Sequence, residues 1–540
     1  MNTKQKKDRR NQVLNMMAGA IVVLFLFASC EKNKEEYEKV KEPFQLSATI
    51  PVDVNPELQE RLKKEGAIYE LNEVFNENSW KTFVAIFWPR DEDGKPKPNF
   101  TDEGKATWLG WKEAFQVYRK DGGVPAPWES PRVKTGHEKL TANMLEENTV
   151  RVYLSSETPT HKVKSKNIAD ETDQAFAGKL FDQNGNEVYY EVLMNKEEFD
   201  YVVNNKLYNI NGQIEFSKNG AIANFPAGDY SSNTLGAVEI KFAWKILTDT
   251  DHKERYYTNW GYVFDASGNL VKKELGMIGF HISQKTPTGK QWVWSTFEHI
   301  DNLDQNVIEK EGKKTIIHPS LTNPECEICP VNVDVSNTGV TYSHNTSLHG
   351  DYWNVMDTVN KTSQKYYANQ PIMKTQAKRM VDIPIRVQQI NQRIQAYFKS
   401  QKSVFQYYQL IDTQYPLRQN AVPDSHTEEG YKLPGSITNK SGGDPNIALL
   451  TNITMETFFQ IGNQSAGNLM EANPESDITV FGTESCIGCH SSAGIYNGVK
   501  DGQFTTADQL SGDFSWLLSQ KAQWDSKIPM TKAYELAAKK

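Results

Sequence analysis

The stretch AVEIKFAWKIL, residues 237–247, decides how this chain is read. Val238, Ile240, Phe242 and Trp244 alternate with Glu239, Lys241, Ala243 and Lys245, a period of two that assigns one set to each face of a β-strand. The first set is apolar enough for a core. The second is polar and reads as a solvated face. Outward from this strand the same grammar recurs in VRVYLSS (150–156), EVYYEVLM (187–194), QIEFS (213–217), RYYTNWGYVF (255–264) and QWVWSTF (291–297). These runs are aromatic and β-branched, and turn residues bound them. FDQNGNEV (181–188) and FDASGNLV (264–271) read as hairpin turns, because Asn-Gly and Ser-Gly supply the positive φ that tight turns require.

The flanks differ from this centre. Residues 56–84 carry Leu58, Leu62, Ile68, Leu71 and Phe75 at near-helical spacing, and residues 107–119 predict a second helix. Residues 372–415 read as helical with a break near Pro384, and the last fifty residues as short helices. No strand–helix alternation of a parallel sheet is present. The expected class is α+β: an antiparallel β-rich central domain, N-terminal helices and a mainly helical C-terminal region. The corresponding division is 1–29 leader, 30–48 tether, 49–330 helices plus β-rich domain, 331–450 loop and long-helix region, and 451–540 as the region holding the motif below.

That motif is TESCIGCHSSAG, residues 483–494, with Cys486, Cys489 and His490 spaced C-x-x-C-H. With five cysteines and ten histidines in 540 residues, this spacing is rare by chance. Covalent haem c needs two thiols three residues apart to reach two vinyl groups, and a following histidine to ligate iron. Gly488 permits close approach to a porphyrin. Zinc is the rival, but two cysteines and one histidine lack a fourth ligand. One covalent haem c with His490 as proximal ligand is therefore expected.

Haem attachment of this kind takes place outside the cytoplasm, and the amino terminus is consistent with export. Lys4, Lys6, Lys7, Arg9 and Arg10 precede an apolar run over residues 13–29, the layout of a signal peptide. Phe27-Ala28-Ser29-Cys30 resembles the lipobox of bacterial lipoproteins, which predicts lipidation at Cys30 and anchorage in the cell envelope. The outer membrane, on its periplasmic or surface side, fits such an anchor. Residues 31–42 read as a solvated tether. The formal net charge is −8, and it becomes more negative once the basic leader is removed, which excludes nucleic acid as a partner. Cys326 and Cys329 then remain; in an oxidising compartment NPECEICP reads as a local structural disulfide, with a redox-active pair as the alternative.

The second ligand of the iron sets function. Two protein ligands make a sealed electron carrier, whereas an open position admits small reactants. Met530, 40 residues beyond His490, resembles in placement the distal methionine of small c-type cytochromes, with a gap-filling core methionine as the competing reading. His281 and His299 are the other candidates, in GFHISQKTPTGKQWVWSTFEHIDN (279–302). A two- or four-residue loop pairs His281 with Thr296 and turns His299 to the opposite face; a three-residue loop with a bulge puts both on one face. Glu298 and Asp301 flank His299 and make a proton-handling group with it conceivable. A hydrogen-bonded structural histidine is the competing reading. Trp292 and Trp294 share one strand face and are candidates for a pocket wall or for core.

SWKTFVAIFWP (79–89), NFPAG (224–228), EIKFAWK (239–245), GFHISQKTP (279–287), WVWSTFEHIDN (292–302), METFFQ (455–460), SCIGCH (485–490) and DFSWLL (513–518) occur in this order. Together they resemble an uncharacterised family of large exported bacterial c-type cytochromes with a TFEHxDN motif. The resemblance implies haem and names no substrate. Three functions follow as expectations. The first is an anchored monohaem cytochrome passing electrons between redox partner proteins. The second is a haem-dependent oxidase, peroxidase or oxygenase acting on a small-molecule substrate at open iron. The third is a surface-binding lipoprotein whose haem is structural.

Overall fold

A computed structural model describes residues 45–130, 178–264, 269–310, 312–326, 331–332, 374–417, 445–447, 449–459, 485–507 and 510–532, with short strand segments at 151–152, 173–174, 342–345, 352–355 and 364–366. The leader, Cys30, the tether up to residue 44 and Cys329 lie outside these residues. Cys326 is disulfide-bonded. Among the described residues, no helix is long and apolar enough to cross a membrane.

The expected helix over 56–84 is two helices. Helix α1 (Pro56–Glu65) starts where the Asn55 side chain accepts from the Glu57 and Leu58 amides, with Pro56 at its first turn. It stops at Gly66, whose φ of 68° turns the chain out of the helix. Helix α2 (Ile68–Phe87) follows and is the most buried helix of the fold, with Trp80, Phe83, Val84 and Ile86 inaccessible to solvent. The helix expected over 107–119 is instead a single 3-10 turn, a two-residue strand β1 (Lys112–Glu113) and one α-turn, Ala114–Val117.

The centre is β-rich and antiparallel, as the alternation predicts, and its main sheet has eight strands. Strands β2 (Tyr189–Met194), β3 (Val238–Ile246), β4 (Thr258–Phe264), β5 (Leu270–Gln284), β6 (Val293–His299) and β7 (Tyr408–Gln414) form it with β1 and residues 151–152. The spatial order is β7-β6-β5-β3-β2-β1, all antiparallel; β4 pairs with the first half of β5, and residues 151–152 lie parallel to β4. Strand β7 lies inside the segment expected to be helical. Its period of two places Tyr408 and Leu410 on the buried face, whereas the helix α5 (Ile385–Ser400, numbered after α3 and α4 below) begins only after Pro384. QIEFS departs in the other direction. It belongs to a helix, Ile210–Phe216, capped by the Asn209 side chain, in which Ile210 and Ile214 are buried one turn apart. This helix is α4, and α3 is Lys196–Asn204.

The sheet has two unlike faces. Val238, Ile240, Phe242 and Trp244 of β3 join Phe280 and Ile282 of β5 and Phe297 of β6 in the main core beneath α2 and α5. Phe83 is its hub, with the rings of Trp80, Phe87, Phe280, Phe297 and Phe405 centred 4.6–5.6 Å away. The other face carries Glu239, Lys241, His281, Ser283, Trp294 and Thr296, and the carboxyl-terminal chain lies across it. Among its described residues that chain is not mainly helical. They hold two five-residue helices, α6 (Cys486–His490) and α7 (Leu517–Lys521), and a hairpin of β8 (Tyr496–Lys500) and β9 (Gln503–Thr506), turning at Asp501 and Gly502 in left-handed conformation. Asp-Gly is the local signal for such a turn. Ile487, Ile495, Phe514 and Leu518 share one apolar cluster with Met194, Trp292 and Trp294 of the sheet.

Phe83→Ala removes the hub ring and is expected to cost about 3–5 kcal/mol of unfolding free energy in denaturant titration. A loss below about 1 kcal/mol would mean that the two layers do not depend on this contact.

Candidate functional site

Helix α6 is a single turn containing the whole C-x-x-C-H motif. Ser485 caps it: its hydroxyl lies 3.4 Å from the Gly488 amide and exchanges hydrogen bonds with the Gln414 side chain of β7, at 2.8 and 3.1 Å. Gln414 Oε1 also accepts from the Ile487 amide at 2.8 Å. The motif is thus fixed to the end of the sheet. Neither Cys486 nor Cys489 is in a disulfide, and both are partly accessible, as is His490. Burial pushes the Cys486 thiol well up, so it is protonated.

His490 is held at one nitrogen. Its Nδ1 donates to the Phe514 carbonyl at 2.7 Å, and its ring leans on Trp294, with centroids 4.4 Å apart. Donation from Nδ1 fixes the tautomer whose Nε2 carries a lone pair. Burial lowers the pKa of this ring to about 4, which keeps it neutral, the form that ligates metal. The holding backbone is unusual: Asp513 and Phe514 have φ of 48° and 66°, consecutive left-handed residues that are not glycine. Their neighbours secure them. Asp513 accepts from the Lys285 ammonium and the Phe225 amide, and Ser515 donates to Glu239 at 2.9 Å.

The polar face of the sheet continues the site. In the observed register His281 is opposite Thr296 on β6 and Lys241 on β3, the register of the short-loop reading, although the connection runs from Lys285 to Trp292. His281 Nε2 faces Glu456 Oε2 across 3.4 Å, close enough for ionic attraction but not aligned as a hydrogen bond. Lys241 lies over the Tyr190 ring at 5.0 Å. Burial alone would raise the Glu456 carboxyl, but the charges of His281 and Lys241 override it and hold Glu456 below its ordinary range. Burial lowers the Lys241 ammonium, with Glu456 opposing. Burial lifts Glu239 to about 7. His281, Lys241 and Glu456 all act electrostatically on His490. Each keeps part of its surface accessible although its neighbours along the chain are buried, and with the two thiols they form one electrostatically linked group. Gly279 is required beside it: a Cβ there would sit 1.9 Å from Thr454 Oγ1.

The other sequence candidates are elsewhere. His299 is fully buried on the opposite face and stacks on Tyr256 at 4.2 Å. Its Nε2 donates to the Arg255 carbonyl at 2.9 Å and its Nδ1 accepts from the Asp301 amide at 3.1 Å, so neither nitrogen has a lone pair left for iron. Asp301 is clamped by Arg255 through two bonds of 2.6 Å, and Glu298 by Arg379 and the Ile453 amide. A cleft of about 630 Å³ borders Glu298 and His299, but these pairings already engage both. Met530 is 43% exposed at the surface. Sequence reading therefore found the motif and His281, but it took the Glu239–Lys241 face as solvated and missed Glu456 and the Phe514 carbonyl. Only the alternation in β3 signalled that face.

The fit to haem c rests on these observations: two thiols outside any disulfide and an imidazole with a directed Nε2 on one turn, beside the His281, Lys241 and Glu456 group. Among the described residues, no group of three or more His, Cys, Asp or Glu side chains is arranged to hold a bare metal ion. No family model, curated protein or solved structure matches the chain.

The role of His299 is testable by pH. Burial lowers its pKa to about 4, below the ordinary 6.5, so its contribution is fully present above pH 6.5 and is lost as pH falls from there through 4. His299→Phe is expected to destabilise the fold by about 1–3 kcal/mol at pH 7.5, by leaving the Arg255 carbonyl and Asp301 amide unpaired. It should also reduce the acid-induced loss between pH 6.5 and 4, with haem content unchanged. Loss of haem with unchanged stability would return His299 to the site.

Proposed function

We propose that this chain is an exported cell-envelope protein, lipid-anchored at Cys30, that holds one covalent haem c and passes electrons between extracytoplasmic redox partners. Cys486 and Cys489 supply the two thiols, and His490 is the proximal ligand. The observation that carries this reading is the Nδ1–H bond from His490 to the Phe514 carbonyl, because it leaves Nε2 free for iron and orients it from the turn that bears both thiols. Haem, when bound, supplies one-electron redox chemistry. The protein's own part is to fix the imidazole tautomer, to present both thiols on the same turn, and to surround the group with buried side chains that limit solvent.

The charged row over the site suits this role. Lys241 and Glu456 lie within reach of His490 and carry opposite charges, so they set the local field without leaving a large uncompensated charge. The sheet supplies rigidity, which lowers the reorganisation accompanying electron transfer. Several hundred residues exceed what a bare haem domain needs, and their surface is available for partner docking.

Expressed with a haem c maturation system, the protein should retain haem after denaturing electrophoresis. Cys486→Ala with Cys489→Ala should abolish the haem-dependent peroxidase stain while leaving far-ultraviolet circular dichroism unchanged. A stain that survives the double substitution, or its absence from the unsubstituted protein, would sink the proposal.

A further inference from the structure

Among the described residues, hydrogen bonding separates His252, His281, His299 and His490. His490 and His299 are anchored as above. His252 lies beside Glu254 at the surface, with Nδ1 3.4 Å from its carboxylate. His281 is different: its buried Nε2 faces the Glu456 carboxylate across 3.4 Å, and among the described residues its Nδ1 has no hydrogen-bond partner. Nε2 is thus the oriented nitrogen, and Nδ1 is the one open to a metal. His281 stands two residues from Ser283, which is opposite Trp294 on the neighbouring strand, and Trp294 is the ring against which His490 rests.

Resting on the haem reading, we propose that His281 is the second protein ligand of the haem iron and that Glu456 is its positioning residue. A ligating imidazole gives one nitrogen to the metal and turns the other toward a carboxylate or carbonyl, which fixes its orientation. His490 turns Nδ1 to the Phe514 carbonyl for that purpose and offers Nε2, whereas His281 turns Nε2 to the Glu456 carboxylate and offers Nδ1. Glu456 is itself fixed, accepting from the Asn452 amide at 2.9 Å, while Asn452 donates to Thr296 Oγ1 at 2.7 Å and to the Phe297 carbonyl at 2.9 Å. The strand partner of His281 is therefore tied to the same loop that presents Glu456. No other sequence candidate competes: both nitrogens of His299 are engaged and Met530 is at the surface. Met194 is the one methionine of the sheet on this face, directly opposite Glu239, and it is the alternative that the experiment must separate.

Two imidazole ligands leave iron low-spin with no position for an exogenous molecule, which selects the carrier over the open-iron enzyme. The test is absorption and electron paramagnetic resonance spectroscopy of the haem-loaded full chain. The unsubstituted protein should be low-spin in both oxidation states and indifferent to carbon monoxide. His281→Ala should keep its covalent haem, become high-spin and take up carbon monoxide when reduced, and added imidazole should restore the low-spin spectrum. His281→Met, which keeps a ligating side chain if the alanine variant fails to fold, should raise the midpoint potential. Glu456→Gln should stay low-spin with a shifted potential. A high-spin unsubstituted protein would overturn the proposal. So would a low-spin His281→Ala, and a sulfur-to-iron charge-transfer band there would pass the role to Met194. Absence of covalent haem from the unsubstituted protein would overturn the underlying reading instead.

Discussion

Glu239, Lys241 and His281 stand in adjacent strands of a sheet whose opposite face is the main apolar core. Enclosing such a row is costly unless each group meets a partner, because an unpaired charge loses its hydration without compensation. The rest of the carboxyl-terminal chain is arranged around that constraint. Residues 449–459 bring Glu456 to His281, and residues 513–515 bring Ser515 to Glu239 and Asp513 to Lys285. The polar row and the chain that covers it are thus one unit, and the C-x-x-C-H turn is inserted into it between Gln414 and Trp294.

The same segment joins support to chemistry. Phe514 gives its ring to the apolar cluster and its carbonyl to His490, and it does so in a left-handed conformation that a non-glycine residue adopts only when its surroundings enforce it. Asp513 is enforced by Lys285 and Phe225, and Ser515 by Glu239. Two strained residues hold the carbonyl that fixes the imidazole, so the orientation of His490 follows from sheet side chains distant from it in sequence. On the opposite face, the Glu298–Arg379 and Asp301–Arg255 pairs and the doubly bonded His299 lock the end of β6. The TFEH segment thus contributes to framework on one face and to the site on the other.

The alternation in residues 237–247 made the central sheet readable, and C-x-x-C-H made the site readable, because both are local patterns. The helices failed where local and tertiary signals diverged. Gly66 split one helix, and the period of two in YQLIDTQ gave a strand beside an apolar run that also suits a helix. Ile210 and Ile214, four apart, made a helix of a segment with strand-like composition. The carboxyl-terminal hairpin is legible in Asp501-Gly502, the pair that supplies its left-handed turn. The polar face of β3 was out of reach for a different reason. Whether Glu239 and Lys241 meet water or the far end of the chain depends on contacts more than two hundred residues away in sequence. Glu456 and the Phe514 carbonyl belong to that class, since no spacing rule links them to His490.

The central claim is that the turn Cys486–His490 carries haem through both sulfurs. Mass spectrometry of the peptide containing residues 485–490, taken from mature protein produced in a cell that matures c-type cytochromes, tests it most directly. The account predicts one haem on that peptide, attached at Cys486 and Cys489, with neither thiol open to alkylation. A peptide with two alkylatable thiols and no added mass would contradict it.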